Sequence, residues 1–170
     1  MTTRRLLLAS GSTLGFLLGT RALRAAASAG AATAETFEVT KTDAEWRRLL
    51  SPAQYAILRQ QATEPPGSSP LDRETRPGRY DCAACANSLF SSETKFHSGT
   101  GWPSFWQPLD HAVGTSVDKS LLLERIEVHC HRCGGHLGHV FNDGPRPTGL
   151  RYCINSCALE LEPKTGGEAG

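Results

Sequence analysis

The sequence predicts a small, mainly β domain of antiparallel strands, entered through two or three short helices. Three observations carry that expectation. Helical periodicity is confined to residues 43–61, the later apolar runs are short and separated by turn-rich stretches, and two Cys-x-x-Cys units stand far apart in the chain. The 170 residues are 39% hydrophobic and 21% charged, which suits one core and excludes two large domains. No dominant period or residue type points to a coiled coil, a collagen or a low-complexity chain.

The helical entrance has its own punctuation. Thr42-Asp43-Ala44-Glu45 forms a capping box, and Trp46, Leu49 and Leu50 follow as an apolar face. Ser51-Pro52-Ala53-Gln54 repeats the signal with proline at the first helical position, ahead of Tyr55, Ile57 and Leu58. The stretch from Glu64 to Pro70 then reads as a loop. Beyond it, Leu121–Val128, Leu137–Phe141 and Tyr152–Ile154 read as strands between turns rich in Gly, Pro and Asn.

Residues 1–34 read as an address, separate from a single domain over 35–170. They hold Arg4, Arg5, Arg21 and Arg24 and no acid, with an apolar stretch from Leu6 to about Leu18 that is too short and glycine-broken for a membrane span. Ala27-Ser28-Ala29 and Ala32-Thr33-Ala34 offer small-x-small cleavage sites. The paired arginines resemble a twin-arginine signal, which implies a periplasmic or otherwise exported protein. A disordered basic tail or an ordinary secretion signal is the alternative. The body that remains has 14 basic against 17 acidic side chains, a balance of −3. That argues against a nucleic-acid partner and against membrane insertion once the signal is cut. We expect a monomer.

Cys82-Ala83-Ala84-Cys85 and Cys130-His131-Arg132-Cys133 are the chemically strongest pattern. Two thiolates on a tight turn supply two corners of a tetrahedron, and two such turns close a structural Zn²⁺ site. Residues 86–129 separate the units, so the knuckles belong to different hairpins and the metal staples distant parts of the chain. Two disulfides, or His129 or His131 replacing one cysteine, are the competing readings.

Two cysteines remain. Cys153 lies in Arg151-Tyr152-Cys153-Ile154-Asn155-Ser156-Cys157, where burial on a strand is the plain reading of a lone thiol. Against it stand groups that tune a thiolate, Arg151, Asn155 and the histidines of Gly135-His136-Leu137-Gly138-His139-Val140-Phe141. Trp102, fixed between Gly101 and Pro103, suits a binding wall.

The strings Ser98–Phe105 (SGTGWPSF), Gly134–Pro145 (GGHLGHVFNDGP) and Arg151–Ser156 (RYCINS), together with both knuckles, closely resemble the methionine-R-sulfoxide reductases of the B type over about residues 36–162. The resemblance implies two small antiparallel sheets folded together around a core, with zinc away from the active site. It implies reduction of methionine-R-sulfoxide, preferably in oxidised proteins or peptides, through a sulfenic acid on Cys153. His139 is the implied acid, as a histidinium. His136 and Asn155 would hold the substrate and a water around the oxygen. Trp102 would receive the methyl group with Phe141 beside it, and Arg151 would flank the substrate site. A thioredoxin-like or other thiol reductant is the implied electron donor. A zinc-stapled binding module without redox chemistry is the alternative function.

One departure stands out. Many members carry a resolving cysteine at the position of Thr100, and here only Cys157 is spare. If residues 153–157 were extended, their ends would lie about 13 Å apart, against less than about 7 Å for a disulfide. A turn after Asn155 would shorten that gap, so internal resolution by Cys157 and direct reduction by an external thiol both stay open, with the second preferred.

Overall fold

The computed structural model describes residues 36–120 and 123–164. The proposed signal at 1–34 lies outside the described residues, as do Leu121 and Leu122 of the first expected strand. Helix α1 spans Asp43–Leu49 and α2 spans Pro52–Gln60, each closed at its N-terminus by the capping box that the sequence shows. A 3₁₀ turn at Pro70–Arg73 completes the helical entrance. Among the described residues no helix is long and apolar enough to cross a membrane.

Nine strands follow among the described residues. They are β1 (Gly78–Cys82), β2 (Ser88–Ser91), β3 (Lys95–Phe96), β4 (Ser104–Phe105), β5 (Val113–Asp118), β6 (Arg125–Cys130), β7 (His136–Phe141), β8 (Arg151–Ile154) and β9 (Leu159–Pro163). They form two antiparallel sheets, β2-β1-β9 and β3-β4-β8-β7-β6-β5. The expected strand at 121–128 is corrected. Asp118 pairs with Arg125, so the chain between them is the β5–β6 connection, and Leu123 is 78% exposed. Most of the other strands escape the sequence because Gly78–Cys82 and Val113–Asp118 carry too few apolar residues to stand out.

The sheets meet through aromatic rings. Phe90 of β2 stacks on Phe105 of β4 at 4.3 Å, Tyr80 of β1 meets the same ring edge-on at 5.0 Å, and Tyr152 of β8 lies 6.0 Å from Phe90. Phe105 and Tyr152 are cross-strand partners, and so are their neighbours Ser104 and Cys153. Because side chains alternate along a strand, committing Phe105 and Tyr152 to the core turns Ser104 and Cys153 to the other face. Leu58 of α2 lies against Gly135 at the start of β7.

Strand β7 approaches β8 closely at Gly138. A Cβ there would run into the carbonyl oxygen of Cys153, so any side chain would push the two strands apart. We expect Gly138→Ala to destabilise the fold by about 2 kcal/mol or more, as overpacking against backbone does. Thermal or denaturant unfolding measures this, and unchanged stability would contradict the close approach.

Candidate active site and metal centre

The sheet register builds the site. Cys153 of β8 stands directly opposite His139 of β7 on one side and Ser104 of β4 on the other. The same row continues from His139 to Glu127 of β6 and on to Ser116 of β5. Directly opposed residues share a face, so one sheet face carries a polar stripe centred on the thiol.

Above the thiol is a cleft of about 130 Å³ lined by Thr63, Trp102, Arg125, Gly138, His139, Phe141, Cys153 and Asn155. Among the described residues, four larger surface hollows, one of which shares Arg125 and His139 with the cleft, have no cysteine in their lining. Trp102, Phe141, His139, Asn155 and Cys153, all singled out in the sequence, therefore come together. His136 and Arg151 are brought close without lining the cleft. The His136 ring lies behind His139, with centroids 5.4 Å apart, and its Nδ1 is 2.7 Å from Glu127 Oε1. The Arg151 guanidinium covers the Phe141 ring at 4.5 Å and makes a two-pronged ion pair with Asp143, both contacts at 2.8 Å.

Burial dominates the electrostatics. It pushes the Cys153 thiol above its ordinary value, with the Arg151 charge and the Thr100 hydroxyl pulling the other way. It also draws the His139 ring below the ordinary histidine value, against the bond from Nε2 to Asp118 Oδ2 at 2.8 Å. Burial thus weighs against the charged form of both the thiol and the imidazole. The carboxylates behave oppositely. Asp118 is held well below its usual range by Ser120, His139 and Arg125, and Glu127 is pulled down to about 2 chiefly by His136.

Glu64, in the sequence merely the start of a loop, joins four parts of the site. Its backbone N–H donates to Asn155 Oδ1 at 3.1 Å, and its carbonyl accepts from Trp102 Nε1 at 3.2 Å. Its carboxylate accepts from the backbone N–H groups of Ser156 and Cys157. Asn155 also donates Nδ2 to Leu137 O at 3.0 Å, so its amide already ties the helical entrance to β7. Asp118, Glu127, Arg125 and Asp143 are further site residues that the sequence does not mark. Only the pairing of β5, β6 and β7, and the fold of the loop after Phe141, show what they touch.

After Asn155 the chain turns, as a 3₁₀ segment at Ser156–Ala158. Cys157 does not line the cleft, and its thiol is pushed up to about 11 by burial and by Glu64. Both Cys153 and Cys157 are free thiols.

The other four cysteines converge. Cys82 ends β1 and Cys130 ends β6, with Cys85 and Cys133 in the turns that follow. The two turns match: Ala86 N–H and Gly134 N–H each donate to the first cysteine's carbonyl at 2.8 Å, and both residues take positive φ. All four sulfurs lie within 4.8 Å of one another, with Cys82–Cys133 at 3.8 Å and Cys85–Cys130 at 3.6 Å. A tetrahedral ion with metal–sulfur distances of about 2.3 Å needs sulfurs about 3.8 Å apart. The residues fit a metal ion that joins the two sheets.

Residues 50–163 match the SelR domain. Three relatives each bear the name peptide methionine sulfoxide reductase MsrB. That of Leptospira interrogans is 55% identical over 127 residues, covering 74% of this chain and 97% of the relative. That of Bradyrhizobium diazoefficiens is 57% identical over 128 residues, covering 75% and 92%. That of Methanosarcina barkeri is 52% identical over 133 residues, covering 78% and 94%.

Two outcomes follow. Removing metal with a strong chelator, or replacing Cys130 by Ser, should lower the melting temperature by roughly 10 °C or more, because the binding energy is folding energy. A melting curve indifferent to chelation would exclude a structural metal. Glu64→Gln turns one backbone N–H toward an amide donor and should cost about 1–3 kcal/mol in unfolding experiments.

Proposed function

The chain belongs to the methionine-R-sulfoxide reductases of the B type and reduces methionine-R-sulfoxide, and from that premise we propose that Cys153 is its nucleophile. The observation that carries this reading is the pairing of Cys153 with His139 across β7–β8, beneath Trp102 and Phe141. The thiol sulfur bonds to the sulfoxide sulfur; as the substrate S–O bond and that transient S–S bond break, the oxygen passes to the cysteine sulfur and the thioether leaves, which makes Cys153 a sulfenic acid. Two electrons pass from the cysteine sulfur to the substrate sulfur, and the thiol proton ends on oxygen, so the step needs no outside acid. His139, neutral and opposite the thiol, relays that proton, and Asp118 orients its ring. Trp102 and Phe141 form the apolar wall for the substrate methyl group, and Arg151 draws the sulfur toward its reactive form. Asn155 lines the cleft and braces Trp102 through Glu64, while His136 supports His139 from behind.

A cleft of about 130 Å³ is small beside the roughly 300–1,000 Å³ of small-molecule pockets. That size suits the tip of one side chain presented by a larger chain, hence oxidised methionine in proteins or peptides and a role in their repair. The sulfenic acid is reduced by an external, thioredoxin-like or other thiol. The raised value of the Cys157 thiol, about 11, and its place outside the cleft support that route over internal resolution. The metal is one structural Zn²⁺ on Cys82, Cys85, Cys130 and Cys133, whose four thiolates leave no open position for substrate. We place the mature protein, as a monomer, in the periplasm or another exported compartment. The paired arginines and the cleavage sites before residue 35 support this.

Mass spectrometry after one equivalent of methionine-R-sulfoxide without reductant tests the assignment. We expect one methionine released per chain, a sulfenic acid at Cys153, and no release from Cys153→Ser. A two-dalton loss linking Cys153 to Cys157 would overturn the external route alone. Release by Cys153→Ser would overturn the nucleophile. In single turnovers, a neutral relay predicts a rate that holds between pH 7 and 8. A rate that falls as pH rises through the histidine range would instead require the histidinium. Asp118→Asn should lower the single-turnover rate about tenfold or more, as loss of a positioned acid–base group does.

A further inference from the structure

Beside the thiol, on the side away from His139, three hydroxyls form a continuous chain. Thr100 Oγ1 lies 4.0 Å from Cys153 Sγ, Ser98 Oγ is 2.8 Å from Thr100 Oγ1, and Ser104 Oγ is 2.7 Å from Ser98 Oγ. The chain ends where Ser104 Oγ reaches the carbonyl oxygen of Trp102 at 3.1 Å. Ser104 is fully buried, so its hydroxyl hydrogen goes to a protein acceptor rather than to water.

Two arrangements fill both hydroxyl–hydroxyl contacts while every hydroxyl donates along the chain. Each hydroxyl has one hydrogen to give. When Ser104 donates to the Trp102 carbonyl, Ser98 donates to Ser104 and Thr100 donates to Ser98. Thr100 then has only lone pairs left for Cys153, which suits a protonated thiol as donor. In the reverse arrangement Ser104 donates to Ser98, Ser98 to Thr100, and Thr100 to the sulfur. That order suits a negative sulfur, because a hydrogen bond to an ionised acceptor is about twice as strong as a neutral one. The bond to the Trp102 carbonyl is given up in exchange.

We propose that Thr100, Ser98 and Ser104 form a reversible hydroxyl chain whose direction follows the charge on Cys153, with Thr100 touching the sulfur and Ser98 and Ser104 acting through it as positioning residues. The inference rests on Cys153 being the reacting sulfur. Thr100 gives that sulfur a switchable partner, a donor to the thiolate and an acceptor from the thiol. The chain also ends on the backbone of Trp102, so ionisation at Cys153 is felt at the wall residue. The other charged or titratable groups around the thiol are Arg151 of β8, His139 of β7, Arg125 of β6, and Asp143 beyond Arg151.

The rate at which iodoacetamide labels Cys153 in the full chain, followed from pH 6 to 10 with fragment ions locating the label, reads the chain without turnover. Thr100→Val keeps the shape and removes the hydroxyl. It should slow labelling about three- to tenfold at pH 8 and move the profile to higher pH. Ser98→Ala, which leaves Thr100 in place, should move it the same way by about two- to threefold. Thr100→Ser should restore the rate. A wild-type profile for Ser98→Ala would overturn the chain, and an unchanged or faster Thr100→Val would overturn the contact itself. Methionine release by Cys153→Ser separately tests the nucleophile assignment, so the two failures are distinct.

Discussion

The close pairing of β7 and β8 at Gly138 is the constraint on which the site depends. A glycine opposite the Cys153 backbone lets the strands approach, and the register then sets His139 and Ser104 on either side of the sulfur. Neither neighbour needs a long side chain or an unusual rotamer to reach the thiol's surroundings. The pleat supplies the direction, and the packing of Phe105 and Tyr152 on the core face forbids a slip of one residue. Packing thus fixes which way the chemistry points.

Burial and polar contacts act against each other around that pair. Burial raises the thiol and lowers the imidazole, so it favours the uncharged form of both. A tenfold change in proton affinity corresponds to about 1.4 kcal/mol, which is comparable to a single hydrogen bond. A few contacts therefore decide the balance, among them Arg151, Thr100 and Asp118. The uncharged pair still holds the one proton that the reaction moves. Reduction of a sulfoxide by a thiol is neutral overall, so it leaves no net charge behind in the partly buried cleft.

The metal centre and Glu64 solve a separate mechanical problem. The thiol is on β8 and the tryptophan wall is in the β3–β4 connection of the same sheet, braced by the loop that follows the helical entrance. The tetrathiolate ties β1 to β6 and so holds the two sheets together. Glu64 ties the entrance to Trp102, Asn155 and the 156–157 turn through buried hydrogen bonds, which are costly to break when one partner is lost. Neither device touches the reacting atoms, and both hold the cleft's walls in place.

The sequence by itself determined the parts whose physics is local. Capping boxes close over four residues, so both helices were legible at Thr42 and Ser51. Each Cys-x-x-Cys turn is self-contained, so the ligand set was legible as well. Cys153, His139, Trp102 and Phe141 stood out through unusual strings and their resemblance to a family. Only the tertiary structure decided which groups work together. Asp118 and Glu127 became partners of the histidines through strand register, and Glu64 became a hub through a loop crossing. His139 came to face the partly buried Cys153 through the register of β7 and β8. The Ser98–Thr100–Ser104 chain is local to the turn before β4, and it meets Cys153 only because β4 lies beside β8. Register, burial and loop crossings arise from contacts between residues distant in the chain, and local spacing does not encode them.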